Sequence, residues 1–100
     1  MKLYIDTSNA ETISVSLLEG EKKVKTLSDK NKFGSQALLP LIKKLLKEEK
    51  VKLESLKEVS VHTGPGSFTG LKVGVSVANS LGFSLGILVN GKKIETNINY

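Results

Sequence analysis

Residues Val59 to Phe83 read VSVHTGPGSFTGLKVGVSVANSLGF, and the class of the fold is decided there. Val59 and Val61 alternate with polar neighbours, the period of a strand. Thr63-Gly64-Pro65-Gly66 then breaks the ladder with residues that favour turns. From about Phe68 to Phe83 the apolar spacing becomes helical, and Ile87 to Val89 reads as another strand. A helix between two strands of one sheet is a crossover, which makes those strands parallel.

Working outward, the N-terminal third is built differently. Leu3 and Ile5 alternate with Lys2 and Tyr4 in a short strand that stops at Asp6-Thr7-Ser8-Asn9, four polar turn-formers. Ile13, Val15 and Leu17 alternate with Thr12, Ser14 and Ser16 in a half-buried second strand. Glu19-Gly20-Glu21 turns the chain back into a third strand through Val24 and Leu27, ending at Ser28. A polar link from Asp29 to Phe33 follows. A first helix is expected from Ser35, a suitable N-cap. Within it Leu38, Leu39, Leu41, Ile42, Leu45 and Leu46 recur at three- and four-residue steps, and Pro40 falls near its first turns. The order is β-β-β-α-β-α-β, and Asn90-Gly91 is a turn signal for a short sixth strand through Ile94.

Three antiparallel strands followed by αβαβ form an α/β fold, a mixed five-stranded sheet with helices packed on it. This order is the repeating half of the actin-like ATPase (ribonuclease H-like) fold. Residues 1–89 account for the half-domain, and residues 90–100 remain as a tail or extra strand.

Composition narrows the functions. One hundred residues allow a single core. There is no cysteine, so disulfide scaffolds, thiolate zinc sites and thiol catalysis are excluded. No apolar run is long enough to span a bilayer, the start has no signal-peptide pattern, and a cytoplasmic location is expected. Net charge is +5, and all fifteen basic residues are lysines. Eleven of them lie between Lys22 and Lys57, where they outnumber the carboxylates. Such a stripe is either a solvated face or a sequence-indifferent contact for a polyanion; arginine, which reads bases and paired phosphates, is missing.

The turn Thr63–Gly70 has two readings. Free N–H groups at a helix start favour an anion, and Gly64, Gly66 and Ser67 suit a phosphate cradle. The same residues equally make a strand-to-helix turn. The spacing fits neither the dinucleotide fingerprint nor a P-loop, because Leu71 stands where a lysine is required. Asp6, with Thr7 beside it at the end of the first strand, either holds magnesium near phosphates or closes an Asx turn. His62, the only histidine, cannot build a zinc site without partners and is read as structural. No metal site and no cofactor are expected.

The second helix carries Gly70, Gly74, Ala78 and Gly82 every fourth residue, a stripe that lets another element approach closely. Leu71, Val73, Val75, Val77 and Leu81 cover much of its remaining surface. A helix apolar on several sides is buried on several sides. Together with the wide stripe on the first helix, this points to helix-to-helix association with another subunit. The residues expected at that interface are Leu38, Leu41, Ile42, Leu45, Gly70, Val73, Gly74, Val77, Ala78 and Leu81.

IDTS at Ile5–Ser8, GSQALLPLI at Gly34–Ile42 and GPGSFTGLKVG at Gly64–Gly74 resemble, in the same order, the N-terminal domain of the TsaB (YeaZ) family, the tRNA threonylcarbamoyladenosine biosynthesis proteins B. The resemblance covers residues 1 to 89. Lys72 stands where the family usually has arginine, Gly34 where it often has histidine, and the family's second domain has no counterpart in the tail. The resemblance implies a non-catalytic subunit that pairs through its two helices with TsaD, the transferase that modifies adenosine beside the tRNA anticodon. It further implies a TsaE-type ATPase in the assembly, contact with tRNA only through the other subunits, and homodimers when the protein is alone. An enzyme resembling TsaD is disfavoured, because the H-x-x-x-H pair of that family has no counterpart after His62. The alternative function is a homodimeric half-domain with its own nucleotide- or RNA-binding role.

Overall fold

The computed structural model describes residues 1–9, 11–30 and 35–98. Its elements are β1 (Lys2–Asp6), β2 (Thr12–Glu19), β3 (Lys22–Lys30), α1 (Ser35–Glu48), a 3-10 turn (Leu53–Ser55), β4 (Glu58–Val61), α2 (Phe68–Leu85) and β5 (Leu88–Val89). The sheet order is β3-β2-β1-β4-β5. β1 pairs antiparallel with β2 and β2 with β3, whereas β1–β4 and β4–β5 are parallel. This is the mixed sheet expected from the strand order.

Register explains the layering. Leu3, Ile5, Val15, Leu17, Val59 and Val61 align across β1, β2 and β4 and are buried on one face. α1 covers that face over β2 and β3, α2 covers it over β1, β4 and β5, and the helices touch each other. The opposite face carries the alternate positions Lys2, Tyr4, Ser14 and Ser60, all partly exposed. The molecule has two layers, one of strands and one of helices.

The first hairpin turns on Gly20, whose φ of 64° is the left-handed region glycine adopts without penalty. β3 extends to Lys30, pairing Asp29 with Ile13 and Lys30 with Thr12, so part of the expected polar link is strand. The remainder of that link, and an N-cap role for Ser35, lie outside the described residues. A register shift opposite Leu17 and Leu18 leaves Val24 exposed rather than facing the core. β3 is an edge strand studded with lysines, which discourages pairing with another sheet.

The wide apolar stripe of α1 is absorbed within the chain. Leu38, Leu41, Ile42, Leu45 and Leu46 are all buried, with Val51, Leu53 and Leu56 closing over the C-terminal half of the helix. Only Leu39 of that set stays exposed.

At the other end, Asn90 and Gly91 (φ 52° and 78°) form the expected turn, with Val89 and Lys92 exchanging both backbone bonds. No sixth strand follows among the described residues; the pairing is a single bridge. The chain leaves the ladder because Glu95 is held elsewhere. Its N–H donates to Asn79 Oδ1 (2.8 Å), and its carbonyl accepts from Asn79 Nδ2 (2.9 Å), fastening the tail to α2.

Candidate functional site

Two features of α2 come from opposite sides of one helix. On the inner side, the small stripe meets the sheet. A side chain at Gly70 would collide with the Thr7 carbonyl oxygen, and one at Gly74 with Thr7 Oγ1. One at Gly82 would lie 2.5 Å from Val89 Cγ2. Ala78 is fully buried. The stripe therefore serves the approach of α2 to β1, β4 and β5, so Gly70, Gly74 and Ala78, expected at a subunit contact, have a packing role within this chain. Leu38, Leu41 and Leu45 of α1, expected at the same contact, are likewise buried in this chain's own core.

The turn behind that contact is knotted to the end of β1. Thr7, fully buried, donates through Oγ1 to the Gly70 carbonyl. Ser67 N–H donates to the Ser8 carbonyl (2.8 Å), and Gly66 lies so close to Ser8 that a Cβ would sit 2.6 Å from its Cβ. Ser67 caps α2 by accepting from Gly70 N–H at 3.4 Å. Asp6 Oδ1 accepts from the N–H (2.9 Å) and hydroxyl (2.6 Å) of Ser8, the Asx-turn alternative. Asp6, Thr7, Gly66 and Ser67 are thus brought together, with bonds directed within the end of β1 and the turn; Gly64 lies in the same turn, before Gly66 and Ser67. His62 Nε2 lies 3.2 Å from the Pro65 carbonyl and Nδ1 3.5 Å from the Tyr4 hydroxyl, so the imidazole braces the same turn. Among the described residues no group of His, Cys, Asp and Glu is arranged to hold a metal ion.

On its outer side α2 presents a second row of small residues, Ser76, Ser80 and Ser84, at four-residue steps. With Leu39, Val77 and Leu81 they line a depression of about 390 Å3 between the helices. It shares Ser76 and Val77 with one of about 260 Å3 lined also by Thr69, Lys72 and Val73. It shares Leu39 and Leu81 with another of about 390 Å3 that reaches Ile42, Lys43, Leu46 and Lys47. The result is a shallow, largely apolar groove along the helix pair. Of the expected interface residues, Ile42, Val73, Val77 and Leu81 line it. Leu39 and the serine row also line it and were not among the residues expected there, although a four-residue repeat of serine within an apolar helix is a legible signal.

The two-layer mixed sheet, with its strand-to-helix turn tied to the end of β1, is an actin-like half-domain of the α/β class. A sequence model of the family described as TsaD, tRNA N6-adenosine threonylcarbamoyltransferase, matches residues 29–91. The chain belongs to that family, on its TsaB (YeaZ) side. It is 38% identical over 90 residues to the tRNA threonylcarbamoyladenosine biosynthesis protein TsaB of Buchnera aphidicola subsp. Schizaphis graminum, covering 89% of this chain and 42% of the relative. To the Bacillus subtilis protein of the same description it is 33% identical over 96 residues, covering 94% and 42%. The solved structure of YeaZ from Pseudomonas aeruginosa superposes with a TM-score of 0.74 at 34% identity, over 88% of this chain and 41% of that one. The chain therefore spans less than half the length of these relatives.

Proposed function

We propose that the chain is a non-catalytic subunit in the formation of N6-threonylcarbamoyladenosine in tRNA, docking a TsaD-type transferase through the outer face of α1 and α2. The observation that carries this reading is the groove itself. It is apolar along its floor, bounded by a serine row that admits a second helix at close range, and placed on the one helical layer of the molecule. The knotted turn at Thr7 and Gly70 supports the same reading, because its polar groups are spent on holding α2 in place. In this assembly a TsaE-type ATPase joins the transferase, and tRNA is reached through the other subunits.

A second copy of the chain is the competing occupant, favoured by the serine row, which allows α2 to pack against another α2. Light scattering after size exclusion separates the two, with the chain run alone and mixed with the TsaD-type subunit of the same genome. A joint peak supports the docking role, and its mass gives the stoichiometry. Two separate peaks at micromolar concentration overturn it.

A further inference from the structure

The turn after β5 joins the two residue types between which a peptide chain cyclises most readily. Asn90 is the one asparagine of this chain that glycine follows, and glycine sets no side chain in front of its own amide nitrogen. That nitrogen can attack Asn90 Cγ and close a five-membered succinimide. The N–Cγ bond forms and the Cγ–Nδ2 bond breaks. The Gly91 amide proton passes to hydroxide or a buffer base, and Nδ2 leaves as ammonia after taking a proton from water. Water then opens the ring. Addition at Cγ gives aspartate; addition at the main-chain carbonyl carbon gives isoaspartate, with the main chain running through Cγ.

In the folded chain two features keep these atoms apart. With φ of 52° at Asn90 and 78° at Gly91, and Lys92 N–H donating to the Val89 carbonyl at 2.9 Å, Val89–Lys92 is a type I′ turn. In such a turn ψ of the first central residue is about +30°. The Gly91 nitrogen then lies nearly opposite Cβ across the Cα–C bond, whereas ring closure needs it on the Cβ side. The carboxamide is also held. Its Oδ1 accepts from Val61 N–H (2.8 Å) and its Nδ2 donates to the Val61 carbonyl (3.1 Å). Asn90 N–H itself donates to the Val59 carbonyl at 2.9 Å. The hold is local, because β5 is two residues long at the edge of the sheet, with Leu88 exposed. It is seated by Val89, fully buried against Gly82 of α2. A short edge strand opens at a lower free energy than the core does.

We propose that Asn90 is a site of spontaneous covalent modification gated by this corner. Closed, β5 keeps the carboxamide away from the Gly91 nitrogen; open, the pair cyclises and loses ammonia. The product does not close as before. Aspartate lacks the donor for the Val61 carbonyl and sets a carboxylate oxygen against it. Isoaspartate lengthens the main chain by one carbon and spoils the turn. Either change loosens β5 from β4, and neither reverts.

The test follows the tryptic peptide Val73–Lys92 by mass spectrometry after incubation of the full chain in mildly alkaline buffer. One sample is unfolded in guanidinium chloride, and the folded sample carries sodium chloride at the same concentration. Fragmentation assigns each change to Asn90 or to Asn79, whose follower Ser80 screens the attacking nitrogen. In the unfolded chain Asn90 converts well before Asn79. In the folded chain its conversion is slower by at least about tenfold. Val89→Ala loosens the corner and speeds conversion in the folded state by at least about threefold. Val15→Ala, in the core at β2, leaves it at the parent's rate. Circular dichroism confirms that both are folded, and Asn79→Ala, which frees Glu95 behind the turn, replaces Val89→Ala if that variant is not. Asn90→Asp, one of the two products, exchanges the amide hydrogen of residue 90 at least about tenfold faster than the parent.

An unfolded chain in which Asn90 converts no faster than Asn79 overturns the site. Equal rates in the folded and unfolded chain overturn the gate. A corner variant as slow as the parent, or Val15→Ala as fast as the corner variant, also overturns it, the latter by making global unfolding the controlling step. Parent-like exchange in Asn90→Asp overturns the loosening of β5.

Discussion

Glycine inside a helix ordinarily costs about 1 kcal/mol relative to alanine, so its replacement should stabilise. Gly74 is one of the exceptions the structure explains, because an added methyl would run into Thr7 Oγ1. Gly74→Ala is expected to lower stability by about 1–3 kcal/mol, the range for overpacking a close-packed core. A urea titration with circular dichroism checks it, and an unchanged midpoint would mean that α2 sits further from β1. Asn90 offers a second single-residue test. Its side-chain Oδ1 accepts from Val61 N–H (2.8 Å) and its Nδ2 donates to the Val61 carbonyl (3.1 Å), so a carboxamide continues the ladder beside β4. Asn90→Gly keeps the positive φ permitted but leaves the Val61 amide unpartnered, with an expected loss of about 1–3 kcal/mol. Amide exchange at Val61 should quicken in parallel; protection equal to the parent's would show that another group takes the bond.

At the scale of elements, α2 works on two sides with two rows of small residues. The glycine row lets the helix lie on the sheet, and the serine row leaves the outer groove open. Filling that groove separates folding from docking. Ser80→Leu, at an exposed position, should change unfolding stability by no more than about 0.5 kcal/mol. If the proposed docking holds, affinity for a TsaD-type subunit should fall by at least about tenfold, because the added side chain fills the groove. Titration calorimetry against that subunit decides it, and retained affinity would place docking elsewhere. The existence of α2 and its near boundaries were legible in the sequence from the turn signal and apolar spacing. Which small row faced inward was not, since Gly70-Gly74-Ala78-Gly82 and Ser76-Ser80-Ser84 both have helical period. Only the position of β1, and of Thr7 at its end, distinguishes them.

In the whole molecule, a single helical layer leaves one sheet face without helices, and Tyr4 stands on it. Burial first, and the nearby Asp6 charge second, raise the Tyr4 pKa above its ordinary 10.0. The unfolded chain then ionises this phenol before the folded protein does. The resulting stabilisation is complete below pH 10 and is lost as the pH rises through the raised folded value. Tyr4→Phe should therefore show a shallower fall in stability on the alkaline side than the parent. Denaturation midpoints from neutral pH upward measure it, and identical slopes would show that Tyr4 ionises alike in both states.

The sequence by itself determined the order of strands and helices, the parallel crossovers and the family, because these follow from apolar period, turn residues and the run from Gly64 to Gly74. It also placed the alternating core positions of the strands, Leu3, Ile5, Ile13, Val15, Leu17, Val59 and Val61. What only the tertiary structure decided was which buried face was already occupied. Periodicity records that a side chain leaves water but not which element receives it. The α1 stripe was taken up by Val51, Leu53 and Leu56, and the glycine row by β1 and Val89, so the apolar surface left open on the helices is the narrower groove around Leu39, Ser76, Val77, Ser80 and Leu81.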